Sequence, residues 1–570
     1  MALPTAAVEG PRSTRASAQV QVVLTEKSMF DVKFSQSMFT AVLLLCAATC
    51  ADSLQLASSA APLQQQASQQ FSLRHLSVTG NKRTRVEVIL RMIPLREGDV
   101  FDQVKWEQGI DALNRSGLFN PITKADYVFI LDHVLGVVDI ELRLAERDYQ
   151  RIDLNGGGGT TGGFSIGLDY SNINLTGHAD KLAGKIRIGD LERSGFGNYS
   201  TLIWSKTPMS LDVSGFFQQI EYVNARTPLA QRATLFAERT GGASVGLFVP
   251  LGKPRFALSS PTRAGLVYSL SSSNVADSFA LATGAPTTVS QSGLRIGSLT
   301  PMLVRDTRDR PFDPQAGQLL AFGLELGARA LGGKVDIARP YFDYRRFFPL
   351  KSKDSAQDES RERRVIAFGF RASHIAAFGK PFAADTLSTV DGVPIFKRFF
   401  LGGETQVRGY DLNAIAPLAR VERFALTAGN PPTLLATEVR PIGGDTNLLF
   451  NAEYRVPLVW QVSAAAFFDF GASFNARALG EERFETGPQS NLAGSARLLT
   501  VLSPLSTSED VFPRYRFSVG GELRFPIPVL NIPIRLIFAA NPNAQRNLTG
   551  STFLAPEKRF AFRIGFSRTL

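Results

Sequence analysis

From about residue 149 to its end, this chain repeats one pattern: short segments in which apolar and polar residues alternate, separated by turn-rich stretches. A period of two is the mark of a strand with two unlike faces. The last segment is the clearest. In RFAFRIGFSRTL, Phe560, Phe562, Ile564, Phe566 and Leu570 share one face, while Arg559, Ala561, Arg563, Gly565 and Ser567 share the other. After the first fifty residues no run reaches the roughly 18 apolar residues that a helical span needs. The 42 Phe and 49 Gly of this 44% hydrophobic chain instead sit in short alternating runs. A closed barrel is the other way through lipid, because it satisfies every backbone group between strands and leaves no edge.

Sixteen such segments are predicted, at about 150–157, 163–171, 181–190, 198–206, 211–222, 232–249, 256–274, 291–304, 317–329, 337–347, 365–377, 446–455, 460–471, 513–525, 531–540 and 558–570. Proline marks six of the seven alternate connections, at Pro208, Pro250 with Pro254, Pro311 with Pro314, Pro349, Pro457, and Pro526 with Pro528. Proline cannot donate to a ladder, so it belongs where strands leave the sheet. The intervening connections are mostly longer, and that from 378 to 445 is the sixth of them. The charged stretch KSKDSAQDESRERR, 351–364, reads as a solvated turn on the proline side.

The first 150 residues differ. MFTAVLLLCAAT, Met38 to Thr49, is too short to span and resembles a secretory signal, giving a leader over 1–52 that holds the two cysteines, Cys46 and Cys50. A cleaved chain would then carry no thiol. Residues 53–70 read as a flexible polar spacer. A module over 71–147 follows, with the order β-α-α-β-β. FSLRHLSVTGN alternates; Thr84 is expected to cap a short helix with Glu87 three residues on. A second helix, about Asp102 to Ser116, buries Trp106, Ile110 and Leu113 and ends at Gly117. Strands follow at about 123–130 and 137–145.

Within the long connection, GGETQVRGYD at Gly402 to Asp411 sets one arginine between glycines. A guanidinium keeps its charge and presents a rigid fork of donors, so inside a barrel Arg408 must meet carboxylates. Glu453 in NAEYRVPL and Asp469 in FFDFGAS are the two at hand, each among apolar residues that make an unpaired carboxylate costly.

A VRGY loop (Val407, Arg408, Gly409, Tyr410), then an E-Y-R-x-P strand and an F-x-D-x-G strand, resembles the BamA-type outer-membrane assembly and translocation superfamily, the bacterial surface antigen barrels. GNKRTRVEVI and LNRSGLFNPI in the module resemble a POTRA domain. The resemblance implies an α+β periplasmic POTRA domain at 71–147 followed by a 16-stranded antiparallel transmembrane β-barrel at 148–570. It implies insertion or translocation of polypeptides at the bacterial outer membrane, with Arg408 pairing with Asp469 and Glu453. Its partners would be outer-membrane lipid, unfolded clients received at the POTRA edge, and periplasmic chaperones or accessory lipoproteins. Strand 1 carries Gly156, Gly157, Gly158 and Gly159, a run with no side chains to pack. With Phe560, Phe562, Ile564 and Phe566 of strand 16 it would form a weak seam able to open sideways; a glycine-rich hairpin is the plainer reading. A chain of this family usually ends in an aromatic residue, and here the end is Leu570.

Other classes fit less well. The net charge of +11 is scattered among acidic residues without a basic helix or aromatic platform, which argues against nucleic acid. Gly163, Ser165 and Gly167 match GxSxG by spacing, but no helix follows the strand as a nucleophile elbow requires. The glycine run lacks the Lys-Ser or Lys-Thr of a phosphate loop. His75, His133, His178 and His374 form no ligand motif, so no enzyme activity, metal or cofactor is expected. The alternative from another class is a passive porin or structural barrel, which would have no use for a folded module or a lumenal arginine.

Overall fold

The computed structural model describes residues 71–566, apart from 161–162, 204–208, 224–233, 253–259, 281–285, 311–312, 351–363, 383, 459–461, 490–491, 493–495, 506–514, 528–531 and 545–555. The leader, the spacer, Pro208, Pro254, Pro311, Pro528, most of the charged turn at 351–364 and the terminal Leu570 therefore lie outside the described residues.

The N-terminal module contains β1 (Ser72–Thr79), α1 (Val86–Met92), α2 (Gln103–Ser116), β2 (Tyr127–Asp132) and β3 (Val137–Arg143). Its sheet has the order β1-β3-β2, with β1 parallel and β2 antiparallel to β3. The helices turn Val88, Ile89 and Met92 of α1, and Trp106, Ile110 and Leu113 of α2, into one core. Asp102 caps α2 by accepting from the N–H groups of Val104 and Lys105, and Gly117 ends it in the left-handed conformation at φ 73°. Two expectations need correction. The N-cap of α1 is Arg85, with no side-chain bond, because Thr84 is engaged elsewhere. The second strand, β2, starts only at Tyr127, because Thr123 and Asp126 close a capping box around a single 3-10 turn, Lys124–Asp126.

The barrel strands are β4 (Gln150–Gly159), β5 (Gly163–Asn172), β6 (Lys181–Gly189), β7 (Glu192–Ile203), β8 (Met209–Val223), β9 (Thr234–Leu251), β10 (Thr262–Ala280), β11 (Pro286–Asp306), β12 (Gly317–Gly327), β13 (Ile337–Leu350) and β14 (Arg364–His374). Two strands of another sheet intervene, β15 (Leu418–Leu426) and β16 (Thr433–Pro441). The barrel resumes with β17 (Thr446–Pro457) and β18 (Ser463–Phe474). After β19 (Glu482–Pro488) and β20 (Arg497–Pro504) it ends with β21 (Tyr515–Ile527), β22 (Ile532–Ala540) and β23 (Phe560–Phe566). Sixteen strands close antiparallel, each on its neighbour in the chain, with a two-residue continuation of β14 at Ala376–Ala377. In β23, Phe560 and Phe562 are exposed on the outside while Ala561, Arg563 and Gly565 are buried.

β10 and β11 run well past the segments expected from hydropathy, because Ser and Thr fill their far ends and weaken the apolar alternation. There Phe279 and Val289 pack against Leu492 and Leu498. The connection from 378 to 445, expected as one loop, contains β15 and β16, which join β19 and β20 in a sheet of order β16-β15-β20-β19. This sheet roofs the end away from the N-terminal module. Ala419, Val421 and Leu502 share a core with Leu235, Phe236 and Val275 of the barrel. Asp277 of β10 receives both Arg423 at 2.9 Å and Arg440 at 2.6 Å.

The module is bonded directly to the barrel. Asn174, in the turn after β5, donates to the Thr84 hydroxyl at 2.9 Å, and Arg85 N–H donates to the Gly177 carbonyl at 3.0 Å. The Thr84 N–H donates to Glu146 at 2.7 Å, and the Thr84 and Tyr149 hydroxyls lie 3.1 Å apart. Ala179 and Leu202 of the barrel join the module's core.

Candidate functional site: the arginine cluster in the barrel lumen

The turn from Gly403 to Asp411 folds inward, and its Arg408 is wholly buried. Asp469 on β18 takes both forks of the guanidinium, Nε at 2.7 Å and Nη2 at 2.6 Å, and also the Arg408 backbone N–H at 3.0 Å. Nη1 donates to Glu453 on β17 at 2.8 Å and to Glu522 on β21 at 3.1 Å. The guanidinium carbon stands 3.7 Å from the centre of the Phe467 ring, so the cation also has an aromatic face beside it.

The four motif residues have separate tasks. Val407 packs where Gly471 leaves room, since a Cβ on that glycine would come within 2.5 Å of it. Gly409 has φ 94°, a conformation that a side chain resists, and a Cβ there would stand 2.5 Å from the Asn541 amide. Tyr410 donates to Asn543 at 2.8 Å and to the Phe517 carbonyl at 3.2 Å. The VRGY loop and the F-x-D-x-G strand thus interlock twice, through Arg408 on Asp469 and Val407 over Gly471.

The carboxylates are held in turn. Glu453 accepts from Arg455 at 2.9 Å and Arg524 at 2.8 Å; Glu522 accepts from Arg524 and, at 3.3 Å, from Arg535. Arg455 reaches the Pro314 carbonyl at 3.2 Å, bringing the turn DTRDRPFDPQAG into the same network. In that turn Asp309 accepts from the N–H groups of Arg310, Gln315 and Ala316. Charges of alternating sign are needed here, because a buried ion without a partner costs several kcal/mol, of the order of 3–5 when one partner is removed.

Sequence reasoning missed Glu522, Arg455, Arg524 and Arg535. Their signal was present as charged residues at the inward positions of alternating strands, in NAEYRVPL, GELRF and PIRLIF. Of the glycine run, Gly156, Gly157 and Gly158 pair with Ile166, Ser165 and Phe164 of β5, and only Gly159 meets β23, opposite Gly565. Among the described residues that is the one paired position between the first and last strands, with one further backbone bond from Thr160 N–H to the Ile564 carbonyl at 3.0 Å. Phe566 packs edge-on against Phe164 of β5, with ring centres 5.3 Å apart, and Phe562 lies 5.1 Å from Phe538. Ser165 lies within β5, and no group of three metal-binding side chains occurs among the described residues.

The model of the Omp85 superfamily domain matches residues 174–567, more than half of the chain. The chain belongs to the Omp85 superfamily. A POTRA model, described as a surface antigen variable number repeat, matches residues 71–147 of this Omp85 protein. The outer membrane protein assembly factor BamA of Neorickettsia risticii (strain Illinois) is 26% identical over 410 residues, which are 70% of this chain and 47% of that protein. BamA of Nitratidesulfovibrio vulgaris is 23% identical over 423 residues, 72% of this chain and 45% of that protein. The chain thus spans about half the length of the curated relatives it matches. Among solved structures, BamA from Haemophilus ducreyi lacking POTRA domains 1–3 superposes with a TM-score of 0.54 at 15% identity, covering 87% of this chain and 84% of that one. That likeness bears on the Omp85 fold alone.

Proposed function

We propose that this Omp85 protein inserts or translocates polypeptides at the outer membrane, with its POTRA domain in the periplasm and the seam between β4 and β23 as the lateral way out. The observation that carries the reading is the glycine-on-glycine closure of the barrel. At the closure Gly159 of β4 stands opposite Gly565 of β23, so neither strand brings a side chain to the pair, and Gly156, Gly157 and Gly158 precede it on β4. An opening there would uncover two strand edges to which an extended client can add.

On the periplasmic side β2 is the edge we assign to the client. The other edge strand, β1, is already bonded near its start to residues 98–101, as in Leu73 N–H to the Asp99 carbonyl at 2.8 Å. No described residue pairs with the outer edge of β2, whose Val128 and Ile130 are exposed. The Arg408 turn holds β17, β18 and β21 in one arrangement beside the seam. Burial of the client would supply the driving force.

Single-channel recording in planar bilayers tests this, comparing the native protein with Arg408→Ala. Large fluctuating conductance that changes with the substitution is expected. A steady pore indifferent to Arg408 would fit a passive porin and sink the reading.

A further inference from the structure

Four residues before Arg408, in the same turn, Glu404 is 95% shielded from solvent at the point where the barrel closes, with a residual exposure of 5%. Its carboxylate accepts from the Thr160 hydroxyl, one residue past the end of β4, at 3.2 Å. Its backbone carbonyl accepts from Arg535 Nη2 on β22 at 2.8 Å. Gly159 and Gly565, the paired residues of the seam, both face it. A Cβ on Gly159 would stand 2.6 Å from the Glu404 carboxyl carbon and 2.8 Å from the Ile564 carbonyl oxygen, and one on Gly565 would stand 3.4 Å from the Glu404 Cβ. The lack of a side chain at Gly159 is what lets the carboxylate lie over the closure, while the contact at Gly565 is an ordinary one.

The contacts form one continuous path. Arg408 bonds Glu522, Glu522 bonds Arg535, Arg535 bonds the Glu404 backbone, and Glu404 bonds Thr160 across the closure. Farther along the turn, Gly409 accepts from Asn541 at 3.0 Å and Asp411 pairs with Arg563 of β23. One short turn therefore grips β17, β18 and β21 through Arg408, β22 through Glu404 and Gly409, β23 through Asp411, and the end of β4 through Glu404.

We propose that Glu404 is the positioning residue that couples the arginine cluster to the seam: its carboxylate fastens the end of β4 against β23, so that displacement of the Arg408 turn releases the closure. This deepens the reading of the seam as a lateral exit and rests on it. Gly159 is part of the device, since any side chain there would wedge the carboxylate or the β23 backbone away. A bare contiguous network does not establish coupling, so the test measures coupling itself.

Spin labels on Ile166→Cys and Phe562→Cys, both exposed outer-surface positions flanking the seam, report its opening in liposomes without any client. Cys46 and Cys50 are first replaced by serine. A second pair, Val213→Cys and Phe322→Cys, lies away from the seam and serves as control. A narrow distribution is expected for the parent. In Glu404→Gln and in Thr160→Val the longer-distance population should rise by about tenfold, the scale set by one hydrogen bond to a carboxylate. The double variant should go no further than either single one, Gly159→Ala should open the seam by itself, and the control pair should stay fixed. Seam distances untouched by Glu404→Gln and Thr160→Val, or an equal change at the control pair, would overturn the assignment. Because no client is present, a protein whose seam behaves in this way but which handles no polypeptide would refute the function and leave the latch standing.

Discussion

Arg408 is a cation that the fold has taken wholly out of water, and its worth lies in what removing a partner would leave behind. Asp469→Asn keeps the shape but removes the charge that meets both forks of the guanidinium, so a loss of about 3–5 kcal/mol is expected from urea unfolding followed in lipid. Arg408→Lys should recover little of an Arg408→Ala loss, because one ammonium cannot serve Asp469 at two nitrogens while also reaching Glu453 and Glu522. Full recovery by lysine would mean that charge alone matters. Gly471→Ala should reproduce part of the loss with no change of charge, since its methyl group would collide with Val407. At this scale the sequence is informative where a charged residue stands among apolar ones, as Arg408, Asp469 and Glu453 do. Glu522, Arg524 and Arg535 escaped because alternation gives the face of a strand but not which residues of other strands meet it across a lumen.

Elements bring a different kind of dependence, seen in the joint between the POTRA domain and the barrel. Burial raises the Glu146 carboxyl, but hydrogen bonds from Thr84, Tyr149 and Arg83 together outweigh it and hold the group below the usual carboxylate value; burial pushes the neighbouring Tyr149 phenol up to about 12. A folded value below the unfolded one stabilises the joint above the ordinary glutamate pKa of about 4.3, and the contribution is lost as pH falls through the folded value. Spin labels on Val104→Cys and Ile188→Cys, both exposed, should give a distance that broadens below about pH 4, with Glu146→Gln broad at every pH. An unchanged distance in Glu146→Gln would remove that residue from the joint. The sequence expectation that Thr84 caps α1 failed for the same reason: its hydroxyl and N–H are committed to Asn174, Tyr149 and Glu146, which are far away in sequence. Sixteen barrel strands were legible because each carries its own period of two. The roof strands β15, β16, β19 and β20 were not, although ARVERFAL and RFETG alternate too, because they lie inside connections already assigned to loop, and the buried pairing of Arg423 and Arg440 with Asp277 has no local trace.

Taken whole, the barrel is a ring of ladders, and the reading proposed above makes its closure the rung that opens. Stability in a protein is not uniform, and the opening of lowest cost falls where the fewest backbone pairs must be given up. The proposed place is the closure between β23 and β4, where Gly159 faces Gly565, the Glu404 turn lies against the pair from inside and Phe164 touches Phe566 outside. If clients leave through it, covalent closure must stop them without disturbing the pore. Cysteines at Phe164 and Phe566, joined by a short cleavable thiol linker in a background lacking Cys46 and Cys50, bridge the seam at ring positions that stand 5.3 Å apart. The linked protein in liposomes should lose insertion of a client barrel, scored by the client's resistance to protease, and regain it when the linker is cleaved. Its single-channel conductance at rest should change little, because the linker lies on the outer surface. Insertion that proceeds equally well with the seam linked would mean that polypeptides do not leave through it, and the closure between β23 and β4 would then have no part in their path.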